Sequence, residues 1–149
     1  MRKFLIILGI CGAMLVGSSR MALADMRDGV AAYERGDYAT ALKEFHPAAT
    51  QGNAGAQGFL GQIYYNGSDS VPQDYKKSFK WFLKSAVQGN AASQSYLGHM
   101  YDLGRGVDQD LNEAFKWTLK AAKLGYSVAQ FDLSHMYREG RGVDKDIKE

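Results

Sequence analysis

The sequence predicts an all-α protein built from repeated pairs of antiparallel helices. Three observations lead to this prediction. A pattern of residues recurs every 36 or 37 positions, apolar side chains within each unit fall at helical spacing, and only two prolines among 149 residues leave room for uninterrupted helices. A content of 46% hydrophobic and 23% charged residues is typical of a globular domain.

The repeat is clearest around a leucine and a tyrosine that keep the same spacing. The segment LGQIY at 60–64 returns as LGHMY at 97–101 and as LSHMY at 133–137. Each copy is followed by a glycine-containing turn and an aspartate, and the first two then continue into an aromatic helix pattern that closes on alanine and glycine. The predicted units span about 26–53, 54–90, 91–126 and 127–149, the last of them incomplete.

Each unit is predicted to form a helix hairpin. Phe79, Phe82, Leu83 and Ala86 lie on one helical stripe, which indicates a helix with one packed face. Helices of this length are marginal alone in water, so stacking of neighbouring hairpins must stabilise them.

Residues at the helix ends support the same boundaries. An aspartate stands at the expected N-cap of the second helix, where its carboxylate accepts from free backbone N–H groups. Asp110 and Glu113 also have capping-box spacing. Glycine stands where each second helix ends and a positive φ is expected. These positions are Asp74, Asp110 and Asp146, and Gly52, Gly89 and Gly125.

The first 24 residues have the form of a secretory signal peptide. A short basic start precedes an uncharged apolar run at 4–17, and Ala22 and Ala24 supply small residues for cleavage before Asp25. The run of fourteen residues is too short to cross a bilayer, so we expect no integral membrane span. The protein is therefore expected to be exported, and to be periplasmic or secreted.

The charge of the chain bears on its possible partners, and its cysteine content bears on how it is stabilised. Arg2, Lys3 and Arg20 all lie in the predicted signal, so the remaining chain is close to neutral and nucleic acid is not an expected partner. The single cysteine, Cys11, lies in the apolar run. The mature chain would therefore contain no disulfide and would be stable through packing alone.

The repeated pattern resembles the Sel-one-like repeat family, which is related to tetratricopeptide repeats. The segments LGHMY and GRGV, the following aspartate, and the closing alanines and glycine carry the resemblance, which covers most of residues 28–149. It implies a right-handed α-solenoid with a concave face, and a role as an adaptor in protein complexes. Departures are the turn at 67–71, which lacks a second glycine, Ser134 in place of glycine, and the absence of paired cysteines.

Sites for chemistry are not expected. The GRG segments at 104–106 and 140–142 follow predicted helices, so they are read as turns and not as phosphate-binding loops. His99 and His135 recur with the repeat, and the sequence lacks metal-ligand motifs such as HExxH or CxxC, so neither a metal nor a cofactor is expected. Nucleophile motifs such as G-x-S-x-G are also missing.

A partner-binding groove is predicted on the first helix of each unit, which the resemblance places on the concave face. Positions separate from the packed stripe of Leu97 and Tyr101 supply the side chains. The predicted groove residues are Gly58, Gln62, Tyr65, Ser95, His99, Asp102, Phe131, His135 and Arg138.

The predicted function is a non-catalytic scaffold that grips a protein or peptide. An envelope enzyme, or a factor associated with an enzyme that acts on peptidoglycan or another carbohydrate, is the alternative, and a purely structural role is a third. The helix at 127–139 is followed by only ten residues, so Leu133, Met136 and Tyr137 are expected to be partly uncovered. Because an exposed apolar patch favours association, we expect either self-association through this edge or a frayed last helix.

Overall fold

The structure, a computed structural model, describes residues 26–143. Seven helices and no strands occur in that range, so the predicted all-α repeat solenoid is confirmed. The helices are α1 (26–34), α2 (Tyr38–Thr50), α3 (Ala54–Asn66), α4 (Tyr75–Ala86), α5 (Ala91–Leu103), α6 (Leu111–Lys123) and α7 (Ser127–Glu139). The predicted signal peptide and the predicted cap Asp146 lie outside the described residues.

Consecutive helices pack on one another along the chain. The tightest pairs are α3 with α4 and α5 with α6, the two halves of single hairpins. The hairpins are joined where α2 meets α3, α4 meets α5 and α6 meets α7. Gly61 allows close packing within its hairpin, because an added Cβ would lie 2.6 Å from the ring of the fully buried Phe82. Each of these hairpins thus has a packed interior of its own, in addition to its contacts with the next hairpin.

The predicted helix caps are present, with one correction. Asp74 accepts from the amide of Lys77, and Asp110 accepts from the amides of Asn112 and Glu113. Only half of the capping box forms. The Asp110 side chain accepts from the Glu113 amide, but the Asp110 amide donates to the Tyr101 carbonyl at 3.0 Å, and the Glu113 side chain pairs with Lys116. The fold had already supplied the acceptor that the Glu113 side chain was expected to provide.

A glutamine that the sequence analysis overlooked joins each hairpin to the next. The side-chain amides of Gln57, Gln94 and Gln130 donate to the carbonyls of Ala49, Ala86 and Ala122, at 3.0, 3.1 and 3.3 Å. Each bond spans the turn between a second helix and the following first helix. Each of these carbonyls already accepts from the amide of the glycine three residues later, Gly52, Gly89 or Gly125. The glutamine therefore adds a second, side-chain hydrogen bond at each of these connections.

The C-terminal edge is less covered than the rest of the described chain. Val128, Phe131 and Tyr137 of α7 are 47%, 64% and 45% exposed. The exposure of Tyr137 was predicted from the sequence. Met136 was also predicted to be partly uncovered, but it is only 7% exposed, because it turns toward the preceding hairpin.

No helix within residues 26–143 combines the length and apolar character needed to cross a bilayer.

Candidate binding site

The first two inter-repeat interfaces are filled by aromatic side chains. At the first, where α1 and α2 meet α3, Phe45 stacks on Phe59 with ring centroids 4.5 Å apart, and Tyr33 contacts both Tyr38 and Phe59. At the second, where α3 and α4 meet α5, Phe82 stacks on Tyr96 at 4.4 Å, and Tyr65 contacts Tyr75 and Tyr96. We call each set of four rings an aromatic quartet.

Burial in these quartets changes the acidity of their phenols. It raises the pKa of Tyr33 to about 12 and also raises the pKa of Tyr96. Tyr33 donates to Oε1 of Gln62 at 2.8 Å, so its hydroxyl remains hydrogen-bonded. Burial thus favours one neutral phenol in each quartet, Tyr33 in the first and Tyr96 in the second.

The third interface, where α5 and α6 meet α7, has no aromatic quartet. The positions equivalent to Tyr65, Tyr75, Phe82 and Tyr96 are occupied by Asp102, Leu111, Thr118 and Asp132. A cleft of about 280 Å³ opens there. Gly98 and Thr118 lie on its lining, where Phe82 fills the equivalent space one repeat earlier.

Charged and titratable side chains dominate this cleft. His99 Nε2 lies 3.0 Å from Asp132 Oδ2, and Arg141 Nη2 lies 2.5 Å from Asp102 Oδ1. Glu139 stands between Arg141, at 3.8 Å, and His135, at 4.0 Å. Three carboxylates thus face one arginine and two histidines. Such a lining holds and orients a polar or charged group of a ligand.

At each of the second and third interfaces, an arginine from a turn contacts the preceding repeat. Arg105 donates to the Tyr65 hydroxyl at 2.6 Å and lies over the rings of Tyr65 and Tyr75. That hydrogen bond raises the pKa of Arg105. Arg141 makes the equivalent contact to Asp102. The GRG segments are therefore turns, as predicted, and their arginines bind the preceding repeat instead of projecting freely.

The second glycine of each GRG turn is required by close packing. Gly106 and Gly142 have φ values of 72° and 66°. An added Cβ would collide with the carbonyl of Tyr75 or of Leu111, at the start of the preceding repeat's second helix. Any side chain at these positions would push the turn, and with it the arginine, away from its partner.

The structure gathers four of the predicted groove residues and separates the others. His99, Asp102, Phe131 and His135 all line the cleft. Arg138 lies beside it and contacts His135 Nδ1 at 2.5 Å. Binding through these residues remains a prediction.

The remaining predicted groove residues are engaged within the fold. Ser95 is only 4% exposed and Gly58 is buried, so neither offers surface to a partner. Gln62 accepts from Tyr33, and Tyr65 holds Arg105. Neighbouring hairpins engage or cover these positions in the stack, and the spacing of residues along a single helix does not reveal those contacts.

Three charged residues of the cleft were not predicted from the sequence. Asp132, Glu139 and Arg141 reach it from α7 and from the turn that follows. Comparing equivalent positions between repeats would have indicated Asp132, because an aromatic residue stands there in the two preceding units. Among residues 26–143, no three His, Cys, Asp or Glu side chains are arranged to hold a metal ion.

Comparison with known proteins identifies the repeat. A family model described as Sel1 repeat matches residues 54–90, 91–126 and 127–149. The chain belongs to the Sel1 repeat family. Proteins built from Sel1 repeats commonly serve as scaffolds for protein interactions, and the fold is generally non-enzymatic. Comparison with curated protein sequences gives no significant match.

Two solved structures are similar to this Sel1 repeat chain. One is a protective antigen present in uropathogenic Escherichia coli strains and displaying an SLR fold, with 36% identity, a TM-score of 0.78, and coverage of 89% of this chain and 29% of its own. The other is a Sel1 repeat protein from Oxalobacter formigenes, with 30% identity, a TM-score of 0.75, and coverage of 81% and 48%. The present chain thus spans less than half the length of either protein.

Proposed function

We propose that this chain is a non-catalytic adaptor that binds an extended segment of a partner protein on the face formed by α5 and α7. The observation that carries the proposal is the cleft at the third interface. There the aromatic side chains that fill the first two interfaces are replaced by a cavity whose lining includes three carboxylates, one arginine and two histidines. A cavity flanked by the exposed rings of Phe131 and His135 suits a peptide, since aromatic residues are frequent binding hot spots.

The adaptor is proposed to act outside the cytoplasm. The basic start, the apolar run and the small residues before Asp25 support export through a cleaved signal peptide. The similar Escherichia coli protein is described as a protective antigen, which is in keeping with an exported protein. Purified mature protein should begin at Asp25, and N-terminal sequencing of protein from fractionated cells tests this. Retention of residues 1–24 on soluble cytoplasmic protein would refute export.

Self-association through α7 is a second part of the proposal. Val128, Phe131 and Tyr137 supply the exposed apolar surface that would support it. Sedimentation at increasing concentration should show association that the double variant V128S/Y137S abolishes. A chain that stays monomeric throughout would remove this part and leave the adaptor proposal intact.

Site-specific photo-crosslinking in the native cells tests the adaptor function directly. A photoreactive amino acid placed at His135 should capture a partner protein, because this side chain lines the cleft. The control is the same residue placed at Lys80, which is exposed on α4. Equal capture from both positions, or capture from Lys80 alone, would contradict the proposed face.

A further inference from the structure

The cleft at the third interface has a definite chemical preference. Asp102, Asp132 and Glu139 contribute three carboxylates to its lining, and Arg141 is the one lining side chain among the described residues that is always charged positively. With neutral histidines, the lining residues therefore carry an excess of two negative charges, which Arg138 beside the cleft reduces to one. A cationic group is favoured in such a site, and an anionic group is repelled.

Each of the two aspartates keeps capacity to accept more hydrogen bonds. Within residues 26–143, Asp102 is bound through Oδ1 by Arg141, and Asp132 is bound through Oδ2 by His99. The second oxygen of each has no protein donor among the described residues. A carboxylate accepts through both oxygens, so an incoming donor can add to these contacts without displacing them. Asp102 and Asp132 are 19% and 25% exposed, so both are partly shielded from water yet accessible.

The cleft is large enough to hold one side chain of a partner. Its volume of about 280 Å³ lies just below the usual range of small-molecule sites. The same space holds one aromatic side chain in each of the first two interfaces. Phe131 and His135 lie beside it with their rings 4.6 Å apart. Aromatic faces stabilise a guanidinium placed over them.

The molecule already binds arginine in this way at the equivalent places. Arg105 lies over Tyr65 and Tyr75 at the second interface, and Arg141 binds Asp102 at the third. The third interface has aspartates at two of the four quartet positions. It therefore engages one arginine and retains carboxylate oxygens for another.

We propose that the third-interface cleft is a subsite for an arginine side chain of the partner protein, with Asp132 and Asp102 as its hydrogen-bond acceptors and Phe131 as its stacking surface. The inference rests on the proposed adaptor function and deepens it, because it names the chemistry that the partner must present. An arginine is preferred over a lysine because its planar guanidinium can bond two carboxylates while it stacks on a ring.

The test uses the processed full chain, isotope-labelled, and NMR chemical-shift titration with capped peptides. The probes are a glycine–serine peptide carrying one arginine, and the same peptide with citrulline, lysine or glutamate in its place. Citrulline keeps the shape of arginine without its charge. The arginine peptide should shift resonances of α5 and α7 around the cleft, and citrulline should weaken binding about tenfold through loss of a charged hydrogen bond. Equal shifts from both peptides, or a preference for glutamate, would overturn the assignment.

Two variants locate the binding. D132N keeps the shape of the side chain and should weaken the arginine peptide several-fold. D108N removes the same charge from an exposed turn outside the cleft and should leave binding unchanged. The double variant T118F/D132Y rebuilds the aromatic pair found at Phe82 and Tyr96, and should abolish binding while the helical circular-dichroism spectrum is retained. Undiminished binding to this folded variant would overturn the proposal.

The outcomes separate this inference from the proposed function. A partner captured at His135 that binds equally to wild type and D132N would leave the adaptor function standing and the arginine subsite refuted. Specific binding of the arginine peptide without any captured partner would do the opposite. A dimer that dissociates on D132N substitution would assign the arginine to a second copy of the chain, and would overturn its assignment to a separate partner.

Discussion

The second and third interfaces join equivalent hairpins of one chain, yet they are built from opposite chemistries. At the second, Phe82 is fully buried and stacks on Tyr96. At the third, Thr118 and Asp132 take those positions and leave a cleft. The hairpins are joined in the same way at both interfaces, since the side chains of Gln94 and Gln130 make the same hydrogen bond to the preceding helix. A repeat fold can therefore keep the same connections between hairpins while one interface loses its aromatic packing.

The largest difference should come from truncating the two equivalent side chains. Replacing Phe82 with alanine should lower the free energy of unfolding by about 3–5 kcal/mol, because it removes a fully buried ring and leaves a cavity. Replacing Thr118 with alanine should cost about 1 kcal/mol or less, since few atoms are lost. Urea denaturation followed by circular dichroism measures both. Equal losses would mean that the two interfaces contribute alike to stability.

Rebuilding the stacked pair of the quartet at the third interface should reverse part of the difference in stability between the two interfaces. In T118F/D132Y the new rings can stack as Phe82 and Tyr96 do, and Gly98 leaves room as Gly61 does. An aromatic pair contributes about 0.5–1.5 kcal/mol beyond its buried area, so the midpoint of urea unfolding should rise. The matched control T118S/D132N adds no ring and should not raise it. A lower midpoint for the rebuilt variant would show that the two interfaces differ in backbone geometry as well as in side chains.

The two turn arginines should respond differently to salt. Arg141 binds a carboxylate, and such pairs weaken as salt screens them. Arg105 binds a neutral hydroxyl and two rings, so screening should affect it less. The loss of thermal stability caused by R141Q should shrink between low and high salt, and the loss caused by R105Q should persist. The reverse order would contradict the assigned contacts.

The smallest effect is expected at alkaline pH, in the first interface. Burial raises the pKa of Tyr33 to about 12 in the fold, against about 10 for an unfolded tyrosine. The folded state thus favours the neutral phenol. This contribution to stability is complete below pH 10 and is lost as the pH rises from about 10 to 12. Y33F should show a shallower decline in stability over this window. An ultraviolet titration in which no phenol ionises late would contradict the shift.

The sequence predicted the fold well because local rules determine it. Recurring glycines, N-cap aspartates and apolar stripes act within one hairpin, and the structure has them at the predicted residues. Relations between hairpins were predicted less well. Whether Ser95 is covered and whether Tyr65 meets Arg105 depend on how stacked hairpins are placed, and no single helix carries that information. The absence of the quartet at the third interface could have been predicted from the sequence, but only by comparing equivalent positions of successive repeats.

The glutamine bonds carry a consequence for how such chains change over time. Gln57, Gln94 and Gln130 tie successive helices across the same turn with the same partner atom, an alanine carbonyl eight residues earlier. The connection is independent of whether rings or carboxylates fill the neighbouring interface. A hairpin can thus be added to the stack or removed from it, and the remaining hairpins can still be joined in the same way. Hairpins with different interface chemistry can therefore follow one another in a single stack, as the second and third interfaces of this chain do.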